Sequence, residues 1–329
     1  MNVQARIEVT RFASNPIIWP DMDGRIGNNI NGPSLLRVPP WLPDPLGRYY
    51  LYFADHKGDY IRLAVADARA GPWRMHEPGS LQLAESLYPT EPPPVGEVAA
   101  TDRHPGTAPP GTPDIPTQEQ DSRWPHIASP DVHVDHVNRR IVMYYHGLAA
   151  WKTQRTRVAT SLDGLRFTAR PELLGPSYFR VFAHGGATYA LGMPGILFRS
   201  ADGFSGFERG PVIFAGGLQR HTAVLVQGDT LHVFWTRVGD VPERILHSTV
   251  ALQGEWRGWT AQGETEILRP ETDDEGGKLD LLPSWRGAVN RPVRQLRDPA
   301  IFEEDGRVFL LYAVQGEAGI ALAELIQAG

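Results

Sequence analysis

The sequence predicts an all-β fold: a five-bladed β-propeller spanning residues 1–329 as a single domain. Three observations point there. A unit of apolar strand, polar turn, aromatic strand, loop and third strand recurs five times along the 329 residues. Stretches such as "TLHVFWTRV" and "RVFLLYAV" alternate with the period of two that strands require. Glycine (34) and proline (29) are abundant, as a chain of short strands joined by turns demands.

The first unit runs from Asn31 to Asp67 ("NGPSLLRV…GRYYLYFADHKGDYIRLAVAD"). The second starts at Ser129 ("SPDVHVDHVNRRIVMYYHGL"), the third at Tyr178, the fourth at Arg220 and the fifth at Arg294, closing with "GIALAEL". Their first turns are LGR, VNR, HGG, QGD and EDG. The third strands of the first three units run into "ADARAGPW", "SLDGLRF" and "SADGFSGF", small polar turns followed by an aromatic residue. That is a per-blade signature of a propeller. A β-sandwich also has many short strands, but it does not ask for a repeat at the level of three. Two insertions interrupt the spacing. Residues 86–125 are rich in proline, glycine and threonine and read as a long surface loop, placed to cover a funnel or to mediate assembly. Residues 254–293 separate the fourth and fifth units.

Composition excludes several classes. No stretch reaches the roughly 18–20 apolar residues of a membrane span. The opening "MNVQARIEVTRFASNP" lacks the apolar core of a secretion signal, so a cytoplasmic location is expected. Zero cysteines remove disulfides, thiolate nucleophiles and zinc–cysteine sites. A net charge of −6 opposes nucleic acid as a partner. There is no GxSxG elbow, P-loop or dinucleotide fingerprint. Oligomeric state is not encoded in any of these features.

In a propeller the first strand of each blade lines a central channel, so residues at the strand heads converge. Here those heads carry Asn31, Asp131, Arg180, His221 and Asp298. Taken singly, an aspartate before a proline is a turn former. The recurrence of polar residues at matching places turns the expectation towards a polar funnel, with Pro299 removing a backbone donor where the fifth inner strand begins.

These openings resemble the five-bladed propeller glycosidases, glycoside hydrolase family 43 with its arabinanase, levansucrase and invertase relatives. The likeness rests on "NGPSLLRV…GRYYLYFA", "SPDVHVDHVNRRIVMYYHG" and "RDPAIFEEDGRVFLLYA". It implies hydrolysis or transfer of sugars by three carboxylates: a base or nucleophile in the first blade, a tuning aspartate in the second and an acidic glutamate further on. Carried over, Asp131 takes the tuning position. Asn31 stands where the base would be, and Tyr178, Phe179 and Arg180 replace a Glu-Gly-Pro opening.

Glycoside hydrolysis needs two carboxyl groups, one protonated and one ionised. The candidates are Asp131, Asp298 and Glu243, the last in "VGDVPERI", where the plainer reading is a loop acid paired with Arg244. Asp21 and Asp23 in "WPDMDGRIG" could supply a missing base, although a turn explains them. Arg294 and Arg297 flank Asp298 and would keep it ionised. His56, His126, Arg180, His221 and Arg237, with Asn31, are the expected substrate contacts. Arginines in the funnel would suit an acidic sugar.

The leading expectation is a glycoside hydrolase acting on a small oligosaccharide without an organic cofactor. One alternative is a propeller that binds a glycan without cleaving it. Another is a metal- or His/Tyr-dependent lyase or isomerase on an acidic sugar, its divalent metal shared by histidines, although no HxxxH or HExxH spacing speaks for one.

Overall fold

The computed structural model describes residues 6–98 and 122–328. The greater part of the 86–125 insertion, residues 99–121, lies outside the described residues. Five four-stranded antiparallel sheets form a ring, as expected.

Blade one comprises β2 (Asn31–Arg37), β3 (Tyr49–Ala54), β4 (Arg62–Ala66) and β5 (Arg74–Met75). Blade two is β6 (Ile127–Asp135), β7 (Arg140–Ala150), β8 (Thr153–Ser161) and β9 (Thr168–Ala169). Blade three is β10 (Arg180–His184), β11 (Ala187–Gly192), β12 (Ile196–Ser200) and β13 (Glu208–Val212). Blade four is β14 (Gln219–Gln227), β15 (Thr230–Arg237), β16 (Ile245–Ala251) and β17 (Gln262–Leu268). Blade five holds β18 (Arg297–Glu304), β19 (Arg307–Ala313) and β20 (Ile320–Ala328).

The fourth strand of blade five is the N-terminal β1 (Arg6–Arg11), paired antiparallel with β20 through Val9↔Leu325 and its neighbours. The two ends of the chain thus close the ring in one sheet, where the three-strand repeat had assigned the N-terminus to no blade. Residues 262–268, inside the second expected insertion, are likewise the outer strand of blade four.

The second strand of each blade explains why its pattern is apolar on both sides. Every residue of β3 is buried. Tyr50 and Tyr52 pack with Ile127 and Met143 of blade two, whereas Leu51 and Phe53 pack with Phe302 and Phe309 of blade five. In β19, Phe309 and Leu311 face blade one while Leu310 and Tyr312 face Phe234 of blade four. Five apolar clusters result, one between each pair of neighbouring blades. A strand covered on both faces reads as a continuous apolar run.

The turns before the outer strands of blades two and three use one device. The Ser161 hydroxyl accepts the Gly164 amide at 2.8 Å and Asp163 accepts those of Leu165 and Arg166. Ser200 and Asp202 repeat the pattern with Gly203, Phe204 and Ser205.

Candidate functional site

The inner strands of four blades begin with a two-residue bulge. The ladder steps from Asn31↔Ala54 to Ser34↔Tyr52, from Ala128↔His146 to Asp131↔Tyr144, from Gln219↔Arg237 to Thr222↔Trp235 and from Arg297↔Ala313 to Ala300↔Leu311. Such bulges re-aim side chains at the rim of a sheet. The first residue of the bulge is left-handed in three of these blades: Gly32 (φ 58°), Ser129 (φ 51°) and Asp298 (φ 46°). In blade three Tyr178 is left-handed (φ 63°) just ahead of β10.

This register corrects the sequence alignment of the blades. Asn31, Asp131, Arg180, His221 and Asp298 do not occupy equivalent positions. The residues equivalent to Asp298 are Gly32, Ser129, Tyr178 and, in blade four, Arg220. The mismatch arises because the bulge adds residues without changing the apolar pattern that guided the alignment.

The funnel is built from these strand heads and from the loops that join the second and third strands of three blades. Those loops supply His56 (β3–β4), Glu243 (β15–β16) and Glu317 (β19–β20). Glu317 is fully buried and the most connected group. Its Oε1 accepts from Arg297 Nη1 at 2.7 Å and lies 3.5 Å from His56 Nδ1, and its Oε2 accepts from Asn29 Nδ2 at 2.7 Å and from Asn31 Nδ2 at 3.4 Å. Burial would raise its pKa, but His56, Arg297 and Arg220 overcome that and hold it far below the usual carboxylate range.

Glu243 is also fully buried, against the expectation of a loop acid paired with Arg244. Its Oε2 lies 3.2 Å from both Arg220 Nη1 and Arg297 Nε, while Oε1 has no hydrogen-bond partner among the described residues. Arg244 instead pairs with Asp240 and Glu266.

Asp298 behaves opposite to the sequence expectation. Arg297 turns to Glu243 and Glu317, leaving both Asp298 oxygens buried with no hydrogen bond among the described residues, the nearest ring nitrogen being His221 Nε2 at 3.5 Å from Oδ1. Burial, reinforced by the Glu317 charge, pushes its carboxyl up to about 7. Beside it, burial and then Arg220 hold the His221 ring well below the ordinary imidazole range. The ring of Tyr178 lies between those of His146 and His221, with centroids at 4.6 and 4.9 Å.

Residues 285–290 form a strap over this cluster. Arg220 donates to the carbonyls of Trp285 (2.7 Å) and Gly287 (2.5 Å), Arg297 to Gly287, and Asn29 to Val289. The Val289 amide donates to Glu317, and Arg286 reaches the carbonyls of Gly217 and Gln219.

Asn31, His56, His221, Asp298 and Glu243 therefore meet. Other expected site residues are engaged elsewhere. Asp131 accepts from the Val181 amide and pairs with His133, both at 2.8 Å; burial opposes its ionisation, yet His133 keeps its carboxyl below the ordinary value. Arg180 donates to the carbonyls of Thr222, Ser129 and Pro130 across the channel. His126 bonds to the Trp124 carbonyl at 2.6 Å and to Gln154, edge-on to His146. Arg237 pairs with Glu264 in the outer part of blade four. Asp23 pairs with Arg25 in an exposed turn. Among the described residues, no three His, Asp or Glu side chains are arranged to hold a metal ion.

Sequence reasoning missed Glu317, Arg220 and Asn29. Glu317 had a signal: in "LLYAVQGEAGIAL" it follows the aromatic strand as Glu243 does in "VFWTRVGDVPERIL" and His56 in "YLYFADHKGDYIRL".

The five-bladed ring is the fold of the family-43 glycoside hydrolases. It is similar to a thermostable family-43 glycoside hydrolase (TM-score 0.54, 12% identity, 90% of this chain and 88% of that one). It is also similar to a β-xylosidase/α-arabinofuranosidase from a compost microbial metagenome, in complex with xylotriose (TM-score 0.55, 13% identity, 97% and 95%). A third neighbour is an exo-β-1,3-galactanase from Phanerochaete chrysosporium with β-1,3-galactotriose (TM-score 0.55, 12% identity, 97% and 64%). At these identities the likeness is one of fold. No protein-family model matches the chain. In sequence it is 34% identical over 347 residues to "Uncharacterized protein R118" of Acanthamoeba polyphaga mimivirus, covering 96% of this chain and 90% of that one, and it belongs to the family of that viral protein.

Proposed function

We propose that the chain is a glycoside hydrolase acting on a small oligosaccharide, with Asp298 as the general acid and Glu243 as its anionic partner. The observation that carries this is the presence, in one funnel, of a buried carboxyl that accepts no hydrogen bond among the described residues and is pushed up to about 7, and of a carboxylate flanked by two guanidiniums. A protonated Asp298 can give its proton to a glycosidic oxygen, and the free Oε1 of Glu243 can accept a proton from water or face the positive charge that develops on the sugar. Glu317 is a positioning group, since all its acceptor capacity is already directed at Arg297, Asn29, Asn31 and the strap. The family-43 neighbours with xylotriose and galactotriose support a carbohydrate as ligand. Asp298 is 1% exposed and Glu243 0%, so the scheme requires the strap to move for substrate to enter. It needs no organic cofactor.

One observation favours a second reading, a propeller that binds a glycan without cleaving it. Gly32, Ser129 and Tyr178 hold the repeat positions equivalent to Asp298, so the first three blades contribute no carboxylate there. Product release from a panel of oligosaccharides and aryl glycosides separates the two. Turnover by the wild type, with a loss of about 100-fold or more in Asp298→Asn and in Glu243→Gln, supports the hydrolase. Calorimetric binding of a sugar with no release by any variant supports the binding protein.

A further inference from the structure

The loop that sends His56 into the funnel presents its other residues to a separate cavity of about 300 Å³, between blade one and the segment preceding blade two. Trp124 and Tyr60 are its aromatic walls; Asp55, Asp59, Lys57 and Arg62 supply the polar groups.

We propose that this pocket is an outer subsite for one uncharged sugar ring of a glycan whose end is processed in the funnel. The inference rests on the carbohydrate reading of the funnel and extends it to the length and charge of the substrate. Three features support it. Trp124 is 56% exposed, yet its indole N–H donates to the Lys57 carbonyl at 3.1 Å, so a large apolar face is held open to solvent in a fixed orientation. An aromatic face that is rigid and exposed suits the C–H face of a sugar ring, and its body is large enough to dominate binding. The polar groups balance, two carboxylates against two cations, which matches a neutral polyol better than an acid or an amine. Among the described residues the buried Nε of Arg62 has no hydrogen-bond partner, while its terminal nitrogens bond to the Asn29 carbonyl at 2.6 Å and the Ala54 carbonyl at 3.3 Å and approach Asp55 at 3.5 Å.

The pocket is also tied to the funnel. Asn29 accepts from Arg62 through its carbonyl and from the His56 amide (2.8 Å) through Oδ1, while its Nδ2 donates to Glu317. Gly58 accepts from the Ile127 amide at 3.0 Å, fixing the loop to the head of blade two. A volume at the low end of ligand cavities fits one ring rather than a chain.

The test is calorimetry on the full chain with neutral trisaccharides built from glucose, xylose, arabinose and galactose, each beside its free monosaccharide. The expected result is a trisaccharide whose affinity falls about tenfold or more in Trp124→Ala and in Tyr60→Ala, while affinity for the monosaccharide stays within about twofold. Trp124→Phe, which keeps a ring, restores much of the loss. Unchanged trisaccharide affinity in both alanine variants, with melting temperatures near wild type, overturns the proposal. So does wild-type protein that binds none of the trisaccharides, or that binds tetramethylammonium at this pocket in their place. Product release is scored separately: turnover that ignores Trp124 sinks only the outer subsite, and trisaccharide binding through Trp124 without turnover sinks only the hydrolase.

Discussion

His221 Nε2 stands 3.5 Å from Asp298 Oδ1, and the Asp298 amide donates to His221 Nδ1 at 3.3 Å. With Nδ1 accepting, a neutral imidazole carries its proton on Nε2, aimed at the Asp298 carboxyl. Both groups are buried, and both are driven towards their uncharged forms. Arg297, their neighbour in sequence, neutralises Glu243 and Glu317 instead. A proton-carrying carboxyl beside a neutral imidazole is thus set within a network of paired charges.

The first prediction concerns pH. The Asp298 carboxyl is raised in the folded state, so its favourable contribution is complete below the unfolded value of about 4 and is lost as pH rises through about 7. Asp298→Asn removes that dependence. Relative to the variant, the wild type should lose roughly 4 kcal/mol of stability across that window, read from urea unfolding at a series of pH values. In turnover assays the wild-type rate should fall above about pH 7, as the acid deprotonates.

Glu317 carries the opposite sign. Its carboxyl is depressed, so its contribution is present above the unfolded value of about 4.3 and is lost as pH falls below it. Glu317→Gln leaves the buried guanidiniums of Arg297 and Arg220 to share the single carboxylate of Glu243 and should cost about 3–5 kcal/mol at neutral pH. Equilibrium unfolding checks this, and a variant as stable as wild type would show that the network tolerates an uncompensated guanidinium.

Restoring a carboxylate in blade one is not a matter of one substitution. A Cβ on Gly32 would lie 2.9 Å from Ser129 Cα, at a φ of +58°. Gly32→Asp should therefore destabilise by about 2 kcal/mol or more without raising activity. Thermal melting beside the product-release assay tests both halves.

Asn31→Asp fails for a different reason. The Asn31 amide donates to Asn29 Oδ1 at 2.8 Å and to Glu317 Oε2 at 3.4 Å. A carboxylate in its place faces two acceptors, one of them charged. The variant should lose about 1–3 kcal/mol at pH 7 and regain part of it as pH falls and the new acid protonates. A pH series of melting temperatures decides it.

The repeated units were legible because inter-blade packing imposes a local pattern. "YYLYFA" and "RVFLLYA" must be apolar on both faces, and the turns between strands need Asp-Gly and Gly-rich steps wherever they occur. The funnel was only half legible. Asp298, His221 and Glu243 stood out as polar residues at strand heads or loops, but the protonation of Asp298 was misjudged from its neighbours in sequence. Arg297 adjoins Asp298 along the chain and yet points its guanidinium elsewhere.

By itself the sequence determined the blade count, the strand-rich class and some of the polar side chains that enter the channel, because each of these follows from residues within one unit. The tertiary structure decided which of those residues are equivalent, since the bulge shifts register without altering hydrophobic order. It decided the closing strand, since β1 and β20 come from opposite ends of the chain. It decided the charge state of the site, because a buried carboxyl answers to whatever lies around it in space: burial and Glu317 raise the Asp298 carboxyl against Arg220, His56 and Arg180, groups drawn from four blades.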